Sequence, residues 1–386
     1  MTTPTSSPAQ SSFDPPPEEQ RWIALAEELA GSIARTAAER DESAELPVEA
    51  LRALNERGLD LALVPAALGG GGMSARTFGR VLGIIARACP STACVWLMHV
   101  GAAVGLITLG DEAMAAHYTA ELRAGKRFAN ALSEPGSGNL FLYPLQKGEP
   151  AEGGWTLRGA KRFVSGGEIA DHFMVNALVD GAPSFFGVAR DETIGFEPIW
   201  DAMGMRATRS QLMTLDGTLL RRDRRCRAPA PADPNPIAYG LAWLSIGVAE
   251  AALDALKAHA RGRVLPTTGQ PIAELQWIQM EVADAHVTLQ AARLLAARTM
   301  WLADVGSPEA LGACLEAKLF ANQAAKQIAD LGVRVGGASG YLKSSPIQRH
   351  FRDAQAGWIM AYSAEVCRDF IGKAVLGAGG PGGGAG

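Results

Sequence analysis

The chain has 386 residues, with 36 Lys and Arg against 40 Asp and Glu, a net charge of −4, 48% hydrophobic and 20% charged residues. That composition belongs to a folded globular protein of roughly two or three domains and excludes a wholly disordered chain. There is no basic excess to gather phosphates, which argues against nucleic acid as a partner. The 5 cysteines, Cys89, Cys94, Cys226, Cys314 and Cys367, are odd in number and never spaced C-x-x-C. They fit reduced thiols in a cytoplasmic protein, not a disulfide framework or a metal knuckle.

The opening residues, MTTPTSSPAQSSFDPPPE, hold little to bury and predict a disordered tail over 1–18, with neither the basic nor the apolar region of a secretory leader. A helical domain is expected over 19–126. Ile23, Leu25, Ala26, Leu29 and Ile33 recur at helical steps, PVEALRALNERG opens on Pro47 and closes on Gly58, and Ser74 is placed as the N-cap of the helix after it. The run from Cys94 to Gly110 is apolar nearly all round and reads as a buried helix, not a membrane span.

Over 127–230 short β-rich runs (RFANAL, WTLRGAKRFVSGG, HFMVNALV, PSFFGVA, LMTLDGTLLRR) alternate with turn clusters, the pattern of an antiparallel sheet or barrel. Over 231–375 the chain returns to four long amphipathic helical stretches, expected to form a four-helix bundle, and 376–386 is a Gly-rich tail. Segregated helices, strands and helices predict an α+β composite.

That order resembles the acyl-CoA dehydrogenase superfamily, and four motifs in sequence carry the resemblance. They are Ala131–Gly138 (ALSEPGSG), Trp155–Gly167 (WTLRGAKRFVSGG), Asp201–Asp216 (DAMGMRATRSQLMTLD) and Val335–Arg352 (VGGASGYLKSSPIQRHFR), followed by a closing helix from Glu365 to Gly372. The resemblance implies FAD as cofactor, with FMN or a diffusible reduced flavin as alternatives. It places Leu132, Ser133, Phe163 and Ser165 against the flavin ring, and Arg261 or Arg263, Gln276, Arg334, Gly337, Ala338, Ser363 and Glu365 toward its phosphates and adenine end. That second half of the site is shared between subunits, the Arg holding the pyrophosphate of a partner's flavin, so a homodimer or homotetramer is implied.

The departures fall on the substrate side. Counting back from Arg368, the family's general-base Glu is Ala361, and its alternative location is Ile237. The Ser-Asp that follows the Gly turn is Asn139-Leu140, and the Arg that often opens the post-barrel helix is Ala238. Losing a general base costs ~10²–10⁴-fold in rate. Trp96, Asn139, Tyr239 and Ala361 are the substrate-side candidates. His99, alone in an apolar helix, is the candidate acid or base. Asp353 is expected in a structural salt bridge, and the run Arg221–Arg227 (RRDRRCR) as a solvated loop.

The reading is a flavin-dependent oxidoreductase that desaturates an acyl thioester carried by CoA or a carrier protein. The alternatives are a two-component monooxygenase, fed reduced flavin by a reductase and using His99, or a non-catalytic flavin- or acyl-binding homologue. No metal, nucleic acid or membrane is expected.

Overall fold

The structure is a computed structural model and describes residues 11–138, 142–230 and 233–378. Among the described residues six α-helices come first: α1 (Gln20–Ser43), α2 (Val48–Glu56), α3 (Leu59–Ala62), α4 (Ala75–Ala88), α5 (Pro90–Leu109) and α6 (Glu112–Arg123). Ser74 caps α4 by accepting from the Thr77 amide, as its sequence position predicts. Helix α5 is long and apolar enough to cross a bilayer, but protein encloses it on all sides; only Met98 and Thr108 escape full burial.

The middle domain has, among the described residues, seven strands: β1 (Phe128–Ala131), β2 (Gly148–Ala151), β3 (Gly154–Val164), β4 (His172–Val179), β5 (Ala182–Ala189), β6 (Ile194–Glu197) and β7 (Gln211–Arg221). They form two sheets, ordered β1-β4-β5 and β2-β3-β7-β6. Inward residues of both, among them Trp155, Phe173, Val175, Phe186 and Met213, make one core. The expectation of an antiparallel domain needs one correction. Strand β1 runs parallel to β4, because the long 131–171 excursion returns the chain to the same end of the sheet.

Five α-helices follow among the described residues: α7 (Pro236–Gly262), α8 (Gln276–Asp304), α9 (Ala310–Tyr341), α10 (Pro346–Ile359) and α11 (Ala364–Leu376). The expected fourth helix is therefore two. The break falls at Met360–Ser363, where Ser363 caps α11 through the Val366 amide. The Trp243 ring of α7 lies flat on α4, where a Cβ on Gly79 would come within 2.4 Å of it, so the N- and C-terminal helical domains share one core.

The tail expected over 1–18 is corrected in its described part. Residues 1–10 and 379–386 lie outside the described residues. Residues 11–16 are not a free tail: Phe13 packs edge-on to Trp301 at 5.7 Å, and Arg76 donates to the carbonyls of Ser12 and Asp14.

Candidate active site

Three loops of the middle domain converge where the sequence places the flavin ring. After β1, the Ser133 carbonyl accepts from the Arg162 amide at 2.7 Å, tying the S-E-P-G-S-G turn to β3. A buried ion pair fixes this turn from within. Lys161 Nζ donates to Glu134 Oε1 at 2.6 Å and to the Asn176 carbonyl and Oδ1 at 2.7 and 2.9 Å. Glu134 also accepts from the Leu145 and Gln146 amides. Burial pulls the Lys161 ammonium below the ordinary lysine range, and Glu134 pulls the other way.

Phe163 follows with φ +59° and half of its surface exposed; the Arg162 guanidinium lies 4.6 Å over its ring and Trp200 meets it edge-on at 6.1 Å. Ser165 is buried, and its Oγ lies 2.8 Å from Ser210 Oγ, which lies 2.8 Å from Thr208 Oγ1. Gly166 has φ +65°, and a Cβ there would stand 2.7 Å from Val95 of α5, so only glycine lets this turn close on the helix.

This surface fits a flavin. Asn130 Oδ1 is a buried acceptor with no partner, and the Ser133 amide donates no hydrogen bond among the described residues. Those are groups a flavin edge satisfies without charge. Leu132 is buried against α5 and α6 in the core beside them. Asn139 and Leu140 lie outside the described residues.

Helix α10 holds the third loop. Arg352 Nη1 donates to the Met203 carbonyl at 2.7 Å, and Asp353 Oδ1 accepts from the Met205 amide at 2.7 Å. Met205 is left-handed (φ +52°), a strained state for a side chain this size; the Asp353 contact on its amide and the Thr208 hydroxyl on its carbonyl hold it there. The salt bridge expected of Asp353 is corrected: among the described residues Asp353 has no cationic partner within salt-bridge distance, and the ion pair here is that of its neighbour Arg352 with Asp41. Asp353 is fully buried, and that burial raises its carboxyl to about 6.

The position of the missing base is the loop between α10 and α11. Ala361 is half-buried there, and its amide donates no hydrogen bond among the described residues. Tyr362 follows it, with burial pushing the phenol up to about 12, and Tyr239 of α7 faces the same cluster. Ile237 packs onto α5; a Cβ on Gly101 would lie 2.3 Å from it. Neither position carries a carboxylate.

His99 and Trp96 are not where the sequence reading put them. His99 Nδ1 accepts from the Phe128 amide at 2.9 Å, which leaves the proton on Nε2, 3.0 Å from Asp60 Oδ2. Both ring nitrogens are used inside the protein, and burial together with Arg127 lowers the imidazole's proton affinity despite Asp60. Trp96 is 1% exposed and donates Nε1 to Asp60 at 2.9 Å. Asp60 also accepts from Asn55 and Arg127. Burial acts to raise its carboxyl, but His99, Arg127 and Asn55 together hold it well below the usual carboxylate range. His99 and Trp96 are thus members of a buried network centred on Asp60, with no face left for a substrate. Asp60 was missed because nothing in LDLALVP marks it as buried.

The remaining expected residues gather on the ends of α7, α8 and α9, or at the start of α11. Arg261, Arg263 and Gln276 are exposed, while Arg334 donates to Glu281 at 3.1 Å. Gly337 interrupts α9 with φ +53°, and Ala338 beside it is exposed. Ser363 caps α11, and Glu365 stands 3.7 Å from Arg368. Arg221–Arg227 is more ordered than a solvated loop: Arg222 and Arg225 stack on Trp155, and Arg224 on Tyr118. A cleft of about 500 Å³ opens between α1, α4, α7 and α8, lined by Arg80, Trp243 and Arg293, but none of the expected flavin or substrate residues lines it.

Models of the acyl-CoA dehydrogenase N-terminal, middle and C-terminal domains match residues 16–126, 129–218 and 238–376. The chain is 27% identical over 356 residues to the putative acyl-CoA dehydrogenase YdbM of Bacillus subtilis, covering 88% of this chain and 92% of that one. Butyryl-CoA dehydrogenase from Megasphaera elsdenii superposes with a TM-score of 0.87 at 23% identity, over 96% of this chain and 100% of that one. FMN-bound TdsC from Paenibacillus superposes with a TM-score of 0.85 at 20% identity, over 94% and 99%. With all three domains matched in order, the chain belongs to the acyl-CoA dehydrogenase family of flavin-dependent oxidoreductases.

Proposed function

We propose that this protein oxidises an acyl thioester, on CoA or a carrier protein, with its flavin held against Phe163, Ser165 and the 132–137 turn. The observation that carries this reading is the Ala361 amide, an undonated, half-buried N–H on the α10–α11 loop at the position of the missing base. An N–H placed there donates to a thioester carbonyl and stabilises negative charge developing on that oxygen. A bound flavin supplies the hydride acceptor. The described residues offer no carboxylate at Ala361 or Ile237, and Tyr362 is too weakly acidic to act as base near neutral pH. The α-proton therefore leaves to water or to a basic group of the substrate, and that transfer limits the rate.

The relatives named as acyl-CoA dehydrogenases support the thioester. Anaerobic addition of a panel of acyl-CoA thioesters to the purified flavoprotein tests it: the visible flavin band bleaches. Ala361→Glu is expected to speed that bleaching by ~10²-fold or more. A flavin that no thioester bleaches turns the reading to oxygen chemistry with reduced flavin. The absence of a base at both positions and the likeness to FMN-bound TdsC favour that second reading. His99 takes no part in either.

A further inference from the structure

We infer that Lys318 is a positioning residue whose ammonium, acting through the Met360–Ala361 peptide, sets the place and donor strength of the Ala361 N–H; this rests on the thioester reading above. Lys318 lies on α9 and is 1% exposed. Among the described residues it has no carboxylate partner; its Nζ donates to the Gly357 carbonyl at 3.0 Å and lies 3.4 Å from the Met360 carbonyl. Those carbonyls belong to the C-terminal turn of α10 and the residue after it, where helix carbonyls lack intrahelical donors and a cation is favoured.

Asn322, one turn along α9, donates to the same Gly357 carbonyl at 2.7 Å and accepts from Ser245 of α7. Gly357 is required by this approach: a Cβ there would stand 2.7 Å from both Asn322 Oδ1 and Ser245 Oγ. The end of α10 is thereby seated on α7 and α9 by three side chains, of which one is charged.

The Met360 carbonyl and the Ala361 N–H are two ends of one planar amide. At 3.4 Å the ammonium makes a long hydrogen bond, but in a buried site it remains a full charge on a dipole. It draws electron density toward the Met360 oxygen and makes the Ala361 proton a stronger donor. Cys314 on α9 and Cys367 on α11 are the nearby thiols; burial dominates and lowers the lysine to about 8, so the charge persists at neutral pH.

The test is the infrared carbonyl stretch of a bound ¹³C-labelled acyl-CoA thioester, read on holoenzyme carrying wild-type sequence, Lys318→Met, Lys318→Gln or Asn322→Ala. The wild-type protein is expected to lower the stretch relative to free thioester. Lys318→Met is expected to lose most of that displacement and roughly tenfold of the flavin reduction rate, with little change in thioester affinity. Lys318→Gln keeps a donor without charge and is expected to restore thermal stability but not the displacement. Asn322→Ala loosens the same helix end with the charge intact and is expected to lose stability while retaining the displacement. A displacement unchanged in both lysine variants, or lost equally in Asn322→Ala, overturns the role of Lys318. Wild-type holoenzyme that binds no thioester overturns the functional reading and the inference with it.

Discussion

At the scale of single residues, the buried polar groups decide what the protein can do. His99 looked like chemistry because an imidazole alone in VWLMHVGAAVG has no visible partner. The partners are the Asp60 carboxylate, 39 positions earlier, and the Phe128 amide, 29 positions later. Removing the ring strands the buried Phe128 amide, at about 1–3 kcal/mol, and takes one donor from Asp60, which keeps Trp96, Asn55 and Arg127. His99→Ala is therefore expected to lower the denaturation midpoint by several degrees while the pH profile of flavin reduction keeps its shape. A changed profile with unchanged stability would contradict the structural role. Lys161 is the opposite case: G-x-K was read correctly as part of a motif, but its burial against Glu134 was not visible. Lys161→Met strands a buried carboxylate and is expected to cost about 3–5 kcal/mol, measured by urea unfolding, together with flavin retention. The double variant Glu134→Gln/Lys161→Met is expected to recover part of that loss.

At the scale of elements, α10 is the helix on which the site depends. Its middle grips the Met203–Met205 loop through Arg352 and Asp353, and its end presents Ala361. A void of about 10 Å³, lined among others by Met205, Ser245, Asp353, Gly357 and Met360, lies between the two grips. Asp353 makes the first grip pH-dependent. Its carboxyl rises from an ordinary 3.8 to about 6, chiefly through burial. A raised folded value means the group favours the fold fully below about 3.8 and loses that contribution as pH rises through about 6. The difference is about 3 kcal/mol. Asp353→Asn still accepts from Met205 and is expected to abolish that dependence, read from unfolding free energies between pH 4 and 7. Gly357→Ala is expected to destabilise by about 1–3 kcal/mol, because its methyl meets Asn322 and Ser245.

At the scale of the whole molecule, one exposed stripe asks for a partner. Trp277, Met280, Val287 and Leu294 are 48%, 63%, 66% and 62% exposed and recur along one side of α8. Such a contiguous apolar face is unusual on a monomer. Arg261, Arg263, Gln276 and Arg334 lie near the α7–α8 connection and on α9, consistent with a second copy completing a cofactor site there. The expected result is a dimer or tetramer by light scattering. Val287→Glu/Leu294→Glu is expected to shift it toward monomer and weaken flavin retention, and a monomeric wild-type protein would refute this arrangement.

The sequence by itself determined the α–β–α order, the buried character of α5, the Ser74 cap and the turn after β1, because periodicity and turn chemistry are local. It also showed that no carboxylate stands at Ala361 or Ile237. Only the tertiary structure decided that β1 runs parallel to β4, that the last helix is broken at Met360–Ser363, and that His99 and Trp96 serve Asp60. It alone revealed Lys318 beneath the Met360 carbonyl, 42 positions away. The physical reason is the same in each case. A hydrogen bond or ion pair in a low-dielectric interior depends on which distant groups the packing brings within about 3 Å, and spacing along the chain does not encode that.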